Sequence, residues 1–207
     1  MRSRAGARGA AFVDLSVVVG ILLAAGSARR FGSNKLLHPL LTGVPIAVTA
    51  ARNLKAVLPR CVAVVRPGAD ELAGLLRAEG LEVVVCASAD EGMGASLACA
   101  AQAAGEAGGY LVALADMPYL RSSTLVAIRD ALLAGPALVA PYFRTRRGHP
   151  VGIAGRFRAE LLAASGDEGA RGLLERHAAD LVKVPVGDPG VVRDVDTPAD
   201  LAPPLGI

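Results

Sequence analysis

At 207 residues with a formal net charge of +3, the chain is most simply one domain with room for a full core, and its mild basicity favours a phosphate-bearing small molecule over a nucleic-acid groove. Hydrophobic residues make up 53% of it but aromatics only 3%, so the core must be Ala, Val and Leu, which suits a parallel sheet covered by helices. No apolar run reaches the roughly 20 residues of a membrane span, and Cys61, Cys86 and Cys99 lack CxxC spacing and sit in apolar surroundings; neither zinc nor a disulfide framework is expected, and a reducing cytoplasm fits.

In chain order, Arg2, Arg4 and Arg8 precede an apolar stretch in a pattern that imitates a secretory signal. Asp14 interrupts it, and residues 1–15 are expected to be a disordered extension ahead of a domain at 16–207. The run 17–23 predicts a buried strand. It breaks into Ala24, Ala25 and Gly26, then Arg29, Arg30, Gly32 and Lys35. Small residues let backbone N–H groups approach an anion, and basic side chains neutralise it, so this loop suits a triphosphate. It is not a Walker loop, and no third glycine completes a dinucleotide fingerprint. Further strands are predicted at 61–65, 81–85, 110–115, 137–140 and 181–184. Helices are predicted at 46–58, 69–78, 95–105, 122–134, 157–164 and 170–177. That alternation predicts a doubly wound α/β domain whose site lies at the carboxyl ends of the strands.

Several polar residues stand out against this frame. Asp116 follows an apolar strand, where a carboxylate is costly unless it is paired or binds metal. Asp194 and Asp196 flank Val195, and in a strand both would face one side and favour a cation. Asp196-Thr197-Pro198 equally suits a helix start. Gly92-Met93-Gly94-Ala95-Ser96 precedes a helix whose N-terminus could meet an anion, or is simply a flexible glycine turn. His149, between Gly148 and Pro150 and close to Arg147, is in a setting uncommon for a core histidine. His38 and His177 have no such company and are expected to be surface or packing residues.

The loop Leu23-Ala24-Ala25-Gly26-x-x-x-Arg30-x-Gly32-x-x-Lys35 resembles the signature of the MobA-like nucleotidyltransferases, most closely the molybdenum cofactor (molybdopterin) cytidylyltransferase branch. Gly92–Leu97, Leu114–Pro118, Arg147–Val151 and Asp194–Pro198 resemble later segments of the same branch, in the same order. The resemblance implies a single Rossmann-like domain of the nucleotide-diphospho-sugar transferase type. It implies Mg²⁺-dependent transfer of CMP from CTP to molybdopterin, giving a dinucleotide cofactor and pyrophosphate, with a molybdenum hydroxylase as client and neither nucleic acid nor membrane as partner. Arg30, Lys35 and Asp116 are then the catalytic residues. Leu23, Ala24, Ala25, Gly26, Arg29, Arg30 and Lys35 line the triphosphate, and Gly92, Met93, Gly94 and Ser96 line the base. Asp116 and Asp194 hold the metal, while Arg147, His149 and Asp167 meet the acceptor. Asp167 also suits a cap for the helix predicted from residue 170. Rival readings are GTP or a sugar phosphate in the same reaction, an NAD(P)H-dependent reductase, and a non-catalytic cofactor-insertion chaperone.

Overall fold

The run after residue 17 forms β1, Val18–Leu23, with every residue buried. The structure, a computed structural model, describes residues 17–26 and 35–201. Arg29, Arg30, Gly32 and the expected extension at 1–15 lie outside the described residues. The remaining strands are β2 (Cys61–Val65), β3 (Glu82–Val85), β4 (Gly109–Leu114), β5 (Leu138–Phe143), β6 (Arg146–Arg147), β7 (Val151–Ala154) and β8 (Leu181–Pro185). All eight join one sheet, in the order β3-β2-β1-β4-β7-β5-β6, with β8 pairing β5. β3, β2, β1 and β4 run parallel, so Leu23, Val64 and Leu114 come into register at one edge.

The helices are α1 (Ile46–Lys55), α2 (Asp70–Ala78), α3 (Met93–Ala104), α4 (Ser122–Leu133), α5 (Arg158–Leu162) and α6 (Arg171–Arg176). α1 packs with α2 and α4, and α3 packs with α5. These helices cover a core of the expected composition: Ile21, Leu22, Val62, Val64, Leu97 and Leu111 are almost fully enclosed. The mostly parallel sheet and its helices are the predicted doubly wound α/β class.

Two strands depart from that expectation. β7 is antiparallel to both β4 and β5, and β6 makes a short hairpin with β5. Neither was predicted: β6 is two residues long, and a proline directly precedes β7. The predicted helix at 157–164 shrinks to α5 behind a 3-10 turn over Gly155–Phe157. The antiparallel direction matters for function. Val112 of β4 pairs with Val151, so β7 begins where β4 ends and carries His149 to that edge.

The cysteine expectation is corrected. Cys86 and Cys99 form a disulfide, bringing the segment after β3 onto α3 with a Cα separation of 6.0 Å. The sequence separation of 13 residues gave no motif, because the approach is made by strand-to-helix packing. Cys61 alone is free and buried, as expected, and burial pushes its thiol up to about 11.

Candidate active site at the carboxyl edge of the sheet

Asp116 is placed by β4. Ala115 N–H donates to Leu23 O at 3.0 Å, extending the ladder one residue past Leu114 and turning Asp116 out over the edge. Asn53 of α1 donates to Pro118 O at 2.9 Å and fixes the turn that follows. The late segment is then fastened to this turn: Val195 N–H donates to Asp116 O at 2.8 Å, and the Val195 side chain is fully buried. With Val195 as the anchor, Asp194 and Asp196 are brought beside Asp116. One ligand oxygen from each of the three carboxylates lies within 4.8 Å of the others.

The helix-start reading of Asp196 is resolved by Asp200. Asp200 Oδ2 accepts from Thr197 N–H at 2.8 Å and from Thr197 Oγ1 at 2.7 Å, closing the 3-10 turn Pro198–Leu201. The Asp196 carboxylate meets Lys35, whose Nζ donates to Asp196 Oδ1 at 2.9 Å and Asp116 Oδ2 at 3.0 Å. Lys35 opens a 3-10 turn, Lys35–Leu37, and buried Leu36 anchors it. Only 12% of the Lys35 side chain is exposed. Burial opposes its charge, but the hydrogen bond to Asp196 and the charge of Asp116 outweigh that, and its pKa is raised. Asp116 Oδ1 is buried and has no hydrogen-bond partner among the described residues. A carboxylate oxygen so placed beside two further carboxylates fits a hard divalent cation.

Leu23, Ala24 and Ala25 are buried in the core, and Gly26 is exposed with open space around it. The Gly92–Ser96 glycines have a packing reason. At Gly92 φ is +122°, and a side chain there would strike Gly166 O; at Gly94 one would strike Ser165 O. Gly94 N–H already donates to Gly166 O at 2.7 Å, and Ser96 is buried. Met93 is exposed. Asp167 lies against Gly92 at the start of α3.

His149 lies outside the buried core, as its place between Gly148 and Pro150 predicts. It is half-buried, and its Nδ1 is sealed from solvent with no partner among the described residues. Burial is the main reason its pKa falls below the ordinary 6.5; nearby Arg147 adds to this, and the Val112 backbone and the Asp116 charge oppose it. A chain crossing holds it there. His149 N–H donates to Val191 O at 2.8 Å, and a side chain at Gly148 would strike that same carbonyl. Arg147 is exposed on β6. Of the other histidines, His177 packs edge-on against Phe157 and meets Glu160 at 2.9 Å, while His38 Nδ1 lies 2.9 Å from Pro39 O.

Sequence reasoning missed Asp188. It is buried, and its carboxylate accepts from Arg121 N–H at 2.9 Å, Thr124 Oγ1 at 2.7 Å and Gly190 N–H at 2.9 Å. It ties the start of α4 to the turn carrying Val191, and so to His149. The Gly187-Asp188-Pro189-Gly190 turn was the only sequence signal.

A basic turn and convergent carboxylates at the carboxyl edge of a doubly wound sheet define a nucleotide-handling α/β protein. Residues 20–181 match the model of the MobA-like NTP transferase domain, and the chain belongs to that family of nucleotidyltransferases. It is 33% identical over 193 residues to nicotine blue oxidoreductase of Paenarthrobacter nicotinovorans, covering 89% of this chain and 94% of the relative. It is 28% identical over 194 residues to purine catabolism protein PucB of Bacillus subtilis (strain 168), covering 88% and 93%. Among solved structures, Rv0371c from Mycobacterium tuberculosis H37Rv superposes with a TM-score of 0.77 at 25% identity, covering 89% and 95%. A further structure of Rv0371c is a complex with manganese, with a TM-score of 0.73. No helix among the described residues is long and apolar enough to cross a membrane.

Proposed function

We propose that the chain transfers CMP from CTP to a molybdopterin-type acceptor with the help of Mg²⁺. The observation that carries the reading is the convergence of Asp116, Asp194 and Asp196 with Lys35 at the carboxyl ends of β1 and β4. In this reaction an oxygen of the acceptor phosphate forms a bond to the α-phosphorus of CTP, the bond from that phosphorus to the bridging oxygen breaks, and pyrophosphate leaves with the electron pair. No general base is needed, because the acceptor phosphate is already ionised. Asp116 and Asp194 would hold the metal, with Asp196 beside them. Bound Mg²⁺ supplies charge neutralisation on the phosphoryl oxygens. Lys35 and Arg30 neutralise the triphosphate as charge moves to the leaving group.

The Ala24-Ala25-Gly26 opening supports the cytidylyl branch by resemblance. His149, just ahead of β7, and Arg147, on the β6 strand that pairs with β5, suit the anionic acceptor. The test is a panel of CTP, GTP and ATP with Mg²⁺ and molybdopterin, following pyrophosphate. CTP should give the highest kcat/KM, and equal or better turnover with GTP would refute the cytidylyl assignment.

A second reading is favoured by one observation, the 33% identity to an oxidoreductase. It predicts NADH or NADPH consumption with a dye acceptor and no pyrophosphate. Three carboxylates around Lys35 suit a metal–triphosphate better than a hydride donor, and the first reading is preferred for that reason.

A further inference from the structure

Three carboxylates with ligand oxygens within 4.8 Å of one another repel, and burial of Asp116 Oδ1 removes part of the water that would screen that carboxylate. A positive group among these carboxylates offsets their repulsion, and Lys35 Nζ is such a group, at 3.0 Å from Asp116 Oδ2 and 2.9 Å from Asp196 Oδ1. It thereby occupies one oxygen on each of two carboxylates of the cluster, including Asp116, whose other oxygen is the unpartnered one. A second positive centre on the same carboxylates would lie close to the ammonium and repel it. The ammonium sits on a flexible four-carbon stem and can swing away without moving the backbone that Leu36 anchors.

We infer that Lys35 is a resident counter-ion of the carboxylate cluster, and that divalent-cation binding displaces it from Asp116 and releases it to take a triphosphate. The same side chain then serves two states in turn. Without metal it keeps the acidic residues together and is itself withheld from anions. With metal it becomes a free cation next to the metal-bound phosphates. Metal loading thus precedes full triphosphate affinity, and a nucleotide arriving without metal meets a lysine already paired. The inference rests on reading Asp116, Asp194 and Asp196 as a divalent-cation site.

The test is Mn²⁺ binding to the nucleotide-free 207-residue chain, followed by electron paramagnetic resonance, with circular dichroism confirming the fold of each variant. Lys35→Met should bind Mn²⁺ about tenfold or more tighter than wild type, because a charge competing for the same carboxylates is gone. Lys35→Arg keeps the charge and should stay near wild type. A folded Lys35→Met with unchanged or weaker Mn²⁺ affinity overturns the inference, while loss of Mn²⁺ binding in Asp116→Asn leaves the metal site itself standing. Asp116→Asn that binds Mn²⁺ as wild type does overturns the metal site.

A second measurement needs no variant. The chain has only two other lysines, Lys55 and Lys183. In trace acylation read by mass spectrometry, Lys35 should be the protected lysine without metal, and its labelling should rise several-fold at saturating Mn²⁺ while Lys55 and Lys183 stay constant. Lys35 labelling that is unchanged or falls with Mn²⁺ overturns the displacement.

Discussion

Asp116 concentrates the chemistry of the site in two oxygens with different company. Oδ2 is held by Lys35, and Oδ1 is buried without a partner among the described residues. Asp116→Asn replaces that oxygen pair with a poor ligand for a hard cation. Turnover should fall by about 10²-fold or more, as loss of one transition-state electrostatic partner does. Rate measured against Mg²⁺ concentration checks this, and an unchanged curve would take Asp116 out of the metal site. His149 carries a pH prediction. Burial holds its folded pKa below 6.5, so the unfolded chain binds the proton more readily. Its contribution to stability is complete above the unfolded value and is lost as pH falls through the folded one. In EDTA, urea midpoints between about pH 7.5 and 5.5 should drop further for wild type than for His149→Gln. Parallel pH profiles would show that the imidazole is not desolvated.

Among the elements, α4 and the turn at 188–192 act as one piece through Asp188. Asp188→Ala leaves Arg121 N–H, the Thr124 hydroxyl and Gly190 N–H without their acceptor. Unsatisfied groups of this kind cost about 1–3 kcal/mol each, and the variant should lose about 3 kcal/mol or more in chemical denaturation. Because Val191 O receives His149 N–H, the folded fraction should also show a raised KM for the acceptor. The parallel strands were legible because each is a short apolar run bounded by turn residues. β7 was not, since Val151-Gly152-Ile153-Ala154 is brief and its direction depends on its neighbours. The Lys35–Asp196 pair was equally hidden. It spans 161 residues, and local spacing marked Asp194 and Asp196 alike. Only the fastening of Val195 to Asp116 and the capture of Thr197 by Asp200 separate the two. The glycines at 92 and 94 also have a packing reason that local spacing could not reveal, because the segment crossing them, 165–167, lies some seventy residues further along the chain.

For the whole molecule, the fold class followed from alternation of strand and helix, and the low aromatic content correctly implied an aliphatic core. Thiol chemistry did not follow, because the pairing of Cys86 with Cys99 is a product of tertiary packing. The air-oxidised native protein should show no reactive thiol, since Cys61 is buried with its pKa raised to about 11. Denaturation should expose one thiol, and denaturation with reductant all three; Ellman titration counts them. Two or more thiols in unreduced, denatured protein would show that the bridge does not form.

The fastening of Val195 to Asp116 also has a consequence in time. A ribosome delivers Lys35 and the first four parallel strands long before it delivers residues 194–196. A chain that stops short of residue 194 carries only Asp116 of the three clustered carboxylates. Under the proposed reaction, such products should not consume nucleoside triphosphate, and pyrophosphate release by a chain truncated before residue 194 would count against the cluster's role.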